Sequence, residues 1–125
     1  MLRLSKLQKN NSNRNYNYKL GLFAEILTCI YLMFKGYRII KWRYKISVGE
    51  IDILAKKKKL FVIVEVKYRK NSETVMYSIS NNQQKRLINS AKWIMREYKT
   101  EKIRFDAILI SKFNIKHIKN AWQEI

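Results

Sequence analysis

The sequence predicts an α/β domain, a mixed β-sheet flanked by helices, with elements in the order α-β-β-β-α-β-β. Three observations predict it. Two stretches, from Lys19 to Phe34 and over 81–98, repeat their apolar residues at helical spacing. Runs rich in Ile, Val, Leu and aromatics lie between and after them at strand length. The 125 residues, 47% hydrophobic and 13% aromatic, suffice for one core and fall short of two ordinary domains.

In the first helix Leu20, Phe23, Ala24, Leu27, Ile30, Tyr31 and Phe34 recur at i, i+3, i+4, and Gly36 supplies a stop just past its end. Strands follow at Tyr37–Tyr44 (YRIIKWRY), Glu50–Ala55 (EIDILA) and Leu60–Tyr68 (LFVIVEVKY). The lysine run 56–59 between the last two reads as a hairpin tip held in solvent. The second helix, 81–98, turns Leu87, Ala91, Ile94, Met95 and Tyr98 inward. A fourth strand covers Ile103–Ile110, and 115–122 reads as a short edge strand. Residues 1–18 hold Arg3, Lys6, Lys9 and Arg14, no acids and an Asn-rich stretch. They read as a flexible basic arm ahead of a single domain, 19–125; the arm is either a phosphate-contacting tail or a frayed end.

Composition narrows the function classes. With 3 Gly and no Pro the chain is neither collagen-like nor a Pro-rich linker. Cys29 is the sole cysteine, so there is no internal disulfide and no Cys-based zinc site; it reads as a reduced core thiol. His117 is the sole histidine, which excludes any mechanism needing a His pair and leaves it as a strand residue without a special role. The longest apolar stretch, Ile26–Phe34, is far short of the roughly 20 residues that span a bilayer. The N-terminus lacks the apolar core and cleavage site of a secretory signal, so the expected location is cytoplasmic.

Lys and Arg number 27 against 9 Asp and Glu, a net charge of +18. The joint enrichment in Lys, Asn, Ile and Tyr is one that genome base composition produces unaided. The scarcity of acids is less readily explained that way, and an excess of this size suits a polyanionic partner. The placement of the acids is the informative part. On alternating strands Glu50, Asp52 and Leu54 share one face, and Glu65 and Lys67 share another. Centring the hairpin between Lys58 and Lys59 sets Asp52 opposite Glu65 and Glu50 opposite Lys67. Two opposed carboxylates repel, and a divalent cation between them reverses that sign; Mg²⁺ is content with one or two carboxylates plus water and phosphate oxygens. The plainer alternative is a salt-bridged solvent face of the hairpin. Glu65 lies in a strand apolar on both faces, hence central. Glu25, in an almost wholly apolar helix, is an expensive place for an unpaired charge. Glu25, Glu50, Asp52 and Glu65 therefore stand where four acids can converge, Glu25 having surface pairing with a lysine as its plain alternative. Trp42, Trp93 and Trp122 read as core packing rather than base-stacking residues.

The segments G-L-F-A-E-I-L (21–27), G-E-I-D-I-L (49–54), V-E-V-K-Y-R (64–69), I-R-F-D (103–106) and H-I-K-N-A-W (117–122) together resemble the YraN family of uncharacterised bacterial proteins. The resemblance runs in order from about residue 19 to the C-terminus, and G-E-I-D followed by V-E-V-K is its specific part. That family in turn resembles the restriction-endonuclease-like superfamily with its D…(D/E)-x-K signature, and particularly the archaeal Holliday-junction resolvases. The resemblance implies a restriction-endonuclease-like mixed sheet, with Asp52 and Glu65 as metal-binding acids and Lys67 as the signature lysine. Glu25 matches the helix-borne glutamate near the metal, and Gln84 or Lys85 a polar helix residue near the scissile phosphate. Ile51 stands where the superfamily often has a proline.

The expected function is a DNA endonuclease dependent on Mg²⁺ or Mn²⁺, with Asp52, Glu65, Lys67 and Glu25 at its centre. Arg38, Arg43, Lys45, Arg69 and Lys70, with Gln84 and Lys85, are the expected nucleic-acid contacts, and a homodimer is the state that resolvase-like action on a symmetric junction implies. The rival is a non-catalytic nucleic-acid-binding module on the same fold. An RNA- or ribosome-associated protein is a third reading, resting on charge alone.

Overall fold

Gly36 ends the first helix by turning left-handed at φ 90°, a conformation that costs glycine little. Its N–H reaches the Met33 carbonyl at 3.0 Å and the Tyr37 N–H reaches that of Leu32 at 2.9 Å. This paired closure satisfies two of the carbonyls a helix end leaves open. The chain then enters the sheet. The computed structural model describes residues 2–68, 81–112 and 114–121, with side chains from Tyr18 onward. Its elements are α1 (Leu2–Phe34), β1 (Arg38–Ile46), β2 (Gly49–Lys57), β3 (Leu60–Tyr68), α2 (Asn81–Glu97), β4 (Ile103–Ser111) and β5 (Asn114–Ile118). Element order is as the sequence predicts. One difference is at the start: the backbone of residues 2–18, expected as a flexible arm, continues α1 as helix.

The described strands form one sheet in the order β1-β2-β3-β4-β5. Strands β1, β2 and β3 are antiparallel neighbours, β3 and β4 run parallel, and β5 returns antiparallel to β4. A parallel pair needs a crossover, and α2 lies within it. Strand β3 is central, as its two apolar faces require.

Each face of the sheet carries its own core. Ala24 and Leu32 of α1 pack on Ile53, Ala55, Val62, Val64, Ile108 and Ile110. Leu87, Ala91 and Ile94 of α2 pack on Ile51, Leu54, Phe61, Ile63 and Phe105, with Met95 and Tyr98 against them. The face of α2 is therefore the predicted one. The buried face of α1 is narrower than its periodicity suggests: Phe23 (58%) and Phe34 (88%) are exposed, as is Ile30. One helix side can lie on a sheet, and Ala24, Thr28, Tyr31 and Leu32 take it. Trp42 also departs from expectation, since it is exposed rather than a core residue, while Trp93 packs edge-on against Tyr44. Trp122 lies outside the described residues. Cys29 is half-buried against the α1-side core. Burial, then the charge of Glu25, pushes its thiol up, away from reactivity.

His117 is the larger correction, because it has a structural partner. Asp106 in β4 is fully buried, and Arg104 grips it through Nε to Oδ1 and Nη2 to Oδ2, both at 2.7 Å. His117 Nε2 lies 2.7 Å from Oδ2, and the Asn120 N–H donates to Oδ1 at 3.0 Å. Arg104 also donates to the Tyr37 hydroxyl at 2.7 Å. With the Ala121 N–H on the Phe105 carbonyl, these bonds fold the chain back beyond β5, so that strand stops at Ile118 rather than continuing to 122. Burial alone would raise the pKa of Asp106, but His117, Arg104 and the Asn120 N–H outweigh it and hold the carboxyl below the ordinary range. A lowered native pKa contributes stability above the unfolded value that is lost as pH falls through the native one. Replacing Asp106 by Ala strands Arg104 and His117, so equilibrium denaturation near neutral pH is expected to show a loss of about 3–5 kcal/mol. The difference from the wild type is expected to shrink in acid.

Candidate active site

The hairpin of β2 and β3 has the register that centring it between Lys58 and Lys59 predicts. Lys57 pairs with Leu60, and the ladder runs back to Ile53 opposite Val64. There it stops. At the next step Asp52 and Glu65 would face each other; instead the Asp52 side chain accepts the Val66 N–H on Oδ2 at 3.0 Å. On its other side β2 stays in step with β1, Trp42 pairing with Ile53 and Tyr44 with Ile51, but the Arg43–Asp52 pair between them is missing from the ladder. The skipped residue on β1, Arg43, stands at φ 52°, an uncommon conformation for a side chain without glycine's freedom. Ile51 and Leu54 end in one core cluster and Ile53 in the other, so strict alternation along β2 breaks at Asp52.

The acids meet around this break. Asp52 is pushed up to about 7, first by burial and then by the charge of Glu65, with a smaller push from Glu25; the Val66 N–H and Lys67 pull the other way. Glu65 has answered its own charge. Its Oε1 accepts the Gln83 amide at 3.2 Å and lies 3.2 Å from the Lys67 ammonium. Glu25 projects from α1, where its Oε2 accepts Trp42 Nε1 at 3.1 Å and Arg43 Nε at 2.9 Å. That contact ties α1 to the edge strand, and Arg43 also stacks over Tyr18.

The other expected residues fall as follows. Glu50 does not join the group. It is exposed and pairs in register with Lys45 of β1, not with Lys67, because β2 and β3 have parted before reaching it. Arg38 and Lys45 are exposed on β1, and Arg43 is engaged by Glu25. Gln84 is half-buried and Lys85 exposed on α2, and Gln83 of the same helix reaches Glu65. Sequence reasoning missed it because one position along a helix turns a side chain by about 100°, and the apolar face of α2 sets that phase only once the helix is docked. Arg69 and Lys70 lie outside the described residues.

A divalent cation fits this donor set in one way. Among the described residues no three His, Cys, Asp or Glu side chains gather as a metal-holding group. Asp52 and Glu65 remain as two hard carboxylates set against each other. Mg²⁺ is commonly held by one or two carboxylates with water and substrate phosphate completing its shell. The site suits such a cation and offers nothing to a soft, tetrahedral one.

The family follows from comparison with other proteins. Residues 24–110 match the model of "Uncharacterised protein family UPF0102", a span that includes Glu25, Asp52, Glu65 and Lys67. This chain belongs to that family. Among its relatives, the UPF0102 protein of Nitrobacter winogradskyi is 41% identical over 106 residues, covering 82% of this chain and 90% of the relative. That of Ehrlichia ruminantium is 40% identical over 109 residues, covering 84% of each. This is the YraN family that the sequence motifs resemble. Among solved structures, the Holliday junction resolvase Hjc of Archaeoglobus fulgidus aligns with a TM-score of 0.54 at 18% identity, over 76% of this chain and 72% of that one. The UPF0102 chain therefore has the restriction-endonuclease-like fold. No helix among its described residues is long and apolar enough to cross a membrane.

The raised pKa of Asp52 has a measurable sign. Between the ordinary carboxylate value of 3.8 and about 7 the native state holds a proton that the unfolded chain has released. Metal-free stability therefore falls as pH rises across that window. Asp52→Asn removes the fall. In thermal melts without metal, the variant is expected to be more stable than the wild type by several degrees at pH 8 and indistinguishable from it below pH 4. Mn²⁺ is expected to stabilise the wild type at pH 8 and to leave the variant nearly unmoved.

Proposed function

We propose that this UPF0102 protein is a metal-dependent DNA endonuclease, with Asp52 and Glu65 holding Mg²⁺ or Mn²⁺. The observation that carries the proposal is the meeting of these two acids where β2 and β3 part, with Lys67 beside Glu65 at 3.2 Å. The fold shared with a Holliday junction resolvase raises the prior and does not establish chemistry.

When bound there, the cation supplies Lewis-acid polarisation of a phosphodiester and a water of lowered pKa. The protein's own groups do the rest. Asp52, pushed up to about 7 by burial and Glu65, would hold the cation in its charged form. Gln83 fixes the orientation of the Glu65 carboxylate. Lys67 balances Glu65 before substrate arrives and offsets the charge developing on the phosphate. Glu25, held by Trp42 and Arg43, is a positioning residue that adds its negative field to Asp52. Exposed Arg38 and Lys45 contact the phosphate backbone, which supplies affinity without sequence preference. A dimer, with one site for each strand, suits a symmetric branched substrate.

A second reading is a binding module that uses this face without hydrolysis. The engagement of Glu25 by Arg43 and the absence of a third gathered ligand among the described residues favour it. Duplex, single-stranded and four-way-branched DNA, assayed with and without Mn²⁺, separate the two. The nuclease is expected to cleave at least one of them only with metal. Asp52→Asn is expected to reduce that cleavage to background while metal-free affinity stays level or improves, since a charge facing the phosphate is gone. A wild-type protein that binds all three, cleaves none and ignores Mn²⁺ is the binding module.

A further inference from the structure

A separate concentration of charge sits at the end of the sheet opposite Asp52. The Phe61 N–H bonds the Lys102 carbonyl at 3.1 Å, which brings the start of β4 beside the β2–β3 tip. Lys57, Lys58, Lys59, Leu60 and Lys102 line an open concavity of about 520 Å³. Among the described residues the ion pairs are those of Arg43, Lys67, Arg104 and His117, so none of these four lysines has an acidic partner. Lys58 occupies the turn at φ 56°, where glycine or asparagine is the easy choice. The Lys57 ammonium lies over the Tyr37 ring, 5.0 Å from its centre, a cation–π contact that meets part of its charge.

The charge does not stop at the tip. Arg38 pairs with Lys56 at the start of β1, and exposed Lys41 follows along this free edge towards Lys45 at the other end. Lysines on an edge strand discourage sheet-to-sheet pairing, and that role accounts for those on β1. It does not account for four lysines around a concavity at the end of the ladder. Mutual repulsion there is relieved by a ligand of repeating negative charge. From Asp52 to Lys58 is six residues of strand, about 20 Å. A duplex covers that distance in about six base pairs at 3.4 Å each.

We propose that the lysine-lined tip is a second nucleic-acid contact, gripping the phosphate backbone about 20 Å from Asp52, with β1 as the track between the two. The proposal rests on the reading of this protein as one that acts on DNA, and it extends the substrate footprint well beyond the cleaved bond. A track of separated charges along one edge suits a polymer better than a single lipid headgroup, which makes nucleic acid the favoured occupant over an anionic membrane.

The test is metal-free binding of a 24-base-pair duplex, about four times the length between the two ends at 3.4 Å per pair, across a salt series. Lys58→Glu with Lys59→Glu is compared with Lys92→Glu and Lys116→Glu, exposed lysines on α2 and β5 that make the same change in net charge. Each lost phosphate contact lowers the log–log salt slope by about 0.9, so the tip variant is expected to lose about 1.8 and the control far less. Equal losses in the two variants would mean that net charge alone is at work, and would overturn the proposal. So would an unchanged slope in the tip variant accompanied by lost binding to phosphatidylserine vesicles, which would assign the tip to a membrane surface. Because no cleavage is measured, a protein that grips DNA at the tip but never cuts it fails the nuclease proposal alone. One that cuts DNA with an unchanged slope fails this proposal alone.

Discussion

The pairing of Ile53 with Val64 places Asp52 and Glu65 at the point where β2 and β3 separate, and the surrounding side chains are arranged about the charge conflict this creates. A slip of one residue would send Glu65 to the opposite face of the sheet, because strand side chains alternate. The register is held by apolar residues buried on both faces, Ile53 and Val64 under α1, Leu54 and Ile63 under α2. Hydrophobic packing thus enforces a juxtaposition that electrostatics opposes. The cost is visible in Asp52, pushed up to about 7, and it is moderated rather than removed by one backbone N–H and one lysine. Such local instability is what a site must tolerate if its charge is to be completed by a ligand.

Each neighbouring element answers a different part of that conflict. Helix α2 contributes Gln83 and steadies Glu65. Helix α1 contributes Glu25, which is held by Trp42 and Arg43 of the edge strand and still adds a smaller push to Asp52. Arg43 reaches Glu25 from a left-handed backbone position, and there the β1–β2 ladder lacks a pair beside Asp52 while keeping its register. Ladder pairing is therefore interrupted on both sides of Asp52 at one level of the sheet. Behind Glu65, Ala107 pairs with it across the parallel β3–β4 ladder, next to Asp106 and its clasp of Arg104, His117 and Asn120. The two aspartates differ in what surrounds them. Asp106 is surrounded by donors and sits below the ordinary carboxylate range; Asp52 faces acids and sits above it. One anchors the chain, and the other carries a repulsion that its partners only moderate.

Several features were legible in the residues themselves. Alternation and periodicity named the elements, because a period of 2 or 3.6 is a property of the backbone and needs no partner. The lysine run set the centre of the hairpin, and with it the confrontation of Asp52 and Glu65, since a short turn leaves few registers open. Gly36 marked a helix end for the same local reason. The family, too, was readable from short motifs in fixed order.

Tertiary structure decided the rest. Which side of α1 would be buried depended on where the sheet lay, so Phe23 and Phe34 are exposed although their spacing matches that of Ala24 and Leu27. Glu50 was removed from the acidic group by a parting of strands that no alternation rule contains. His117 acquired its role from Asp106, and Tyr37 joined the same clasp through Arg104, 67 residues away in the chain. Gln83 reached Glu65 because the docking of α2 set the angle of every side chain on it. The composition carried the net charge of +18, and folding alone brought Lys102 beside Lys57, Lys58 and Lys59. Local rules choose conformations from neighbours a few bonds away; burial, pairing and charge are set by neighbours that only the closed fold brings within reach.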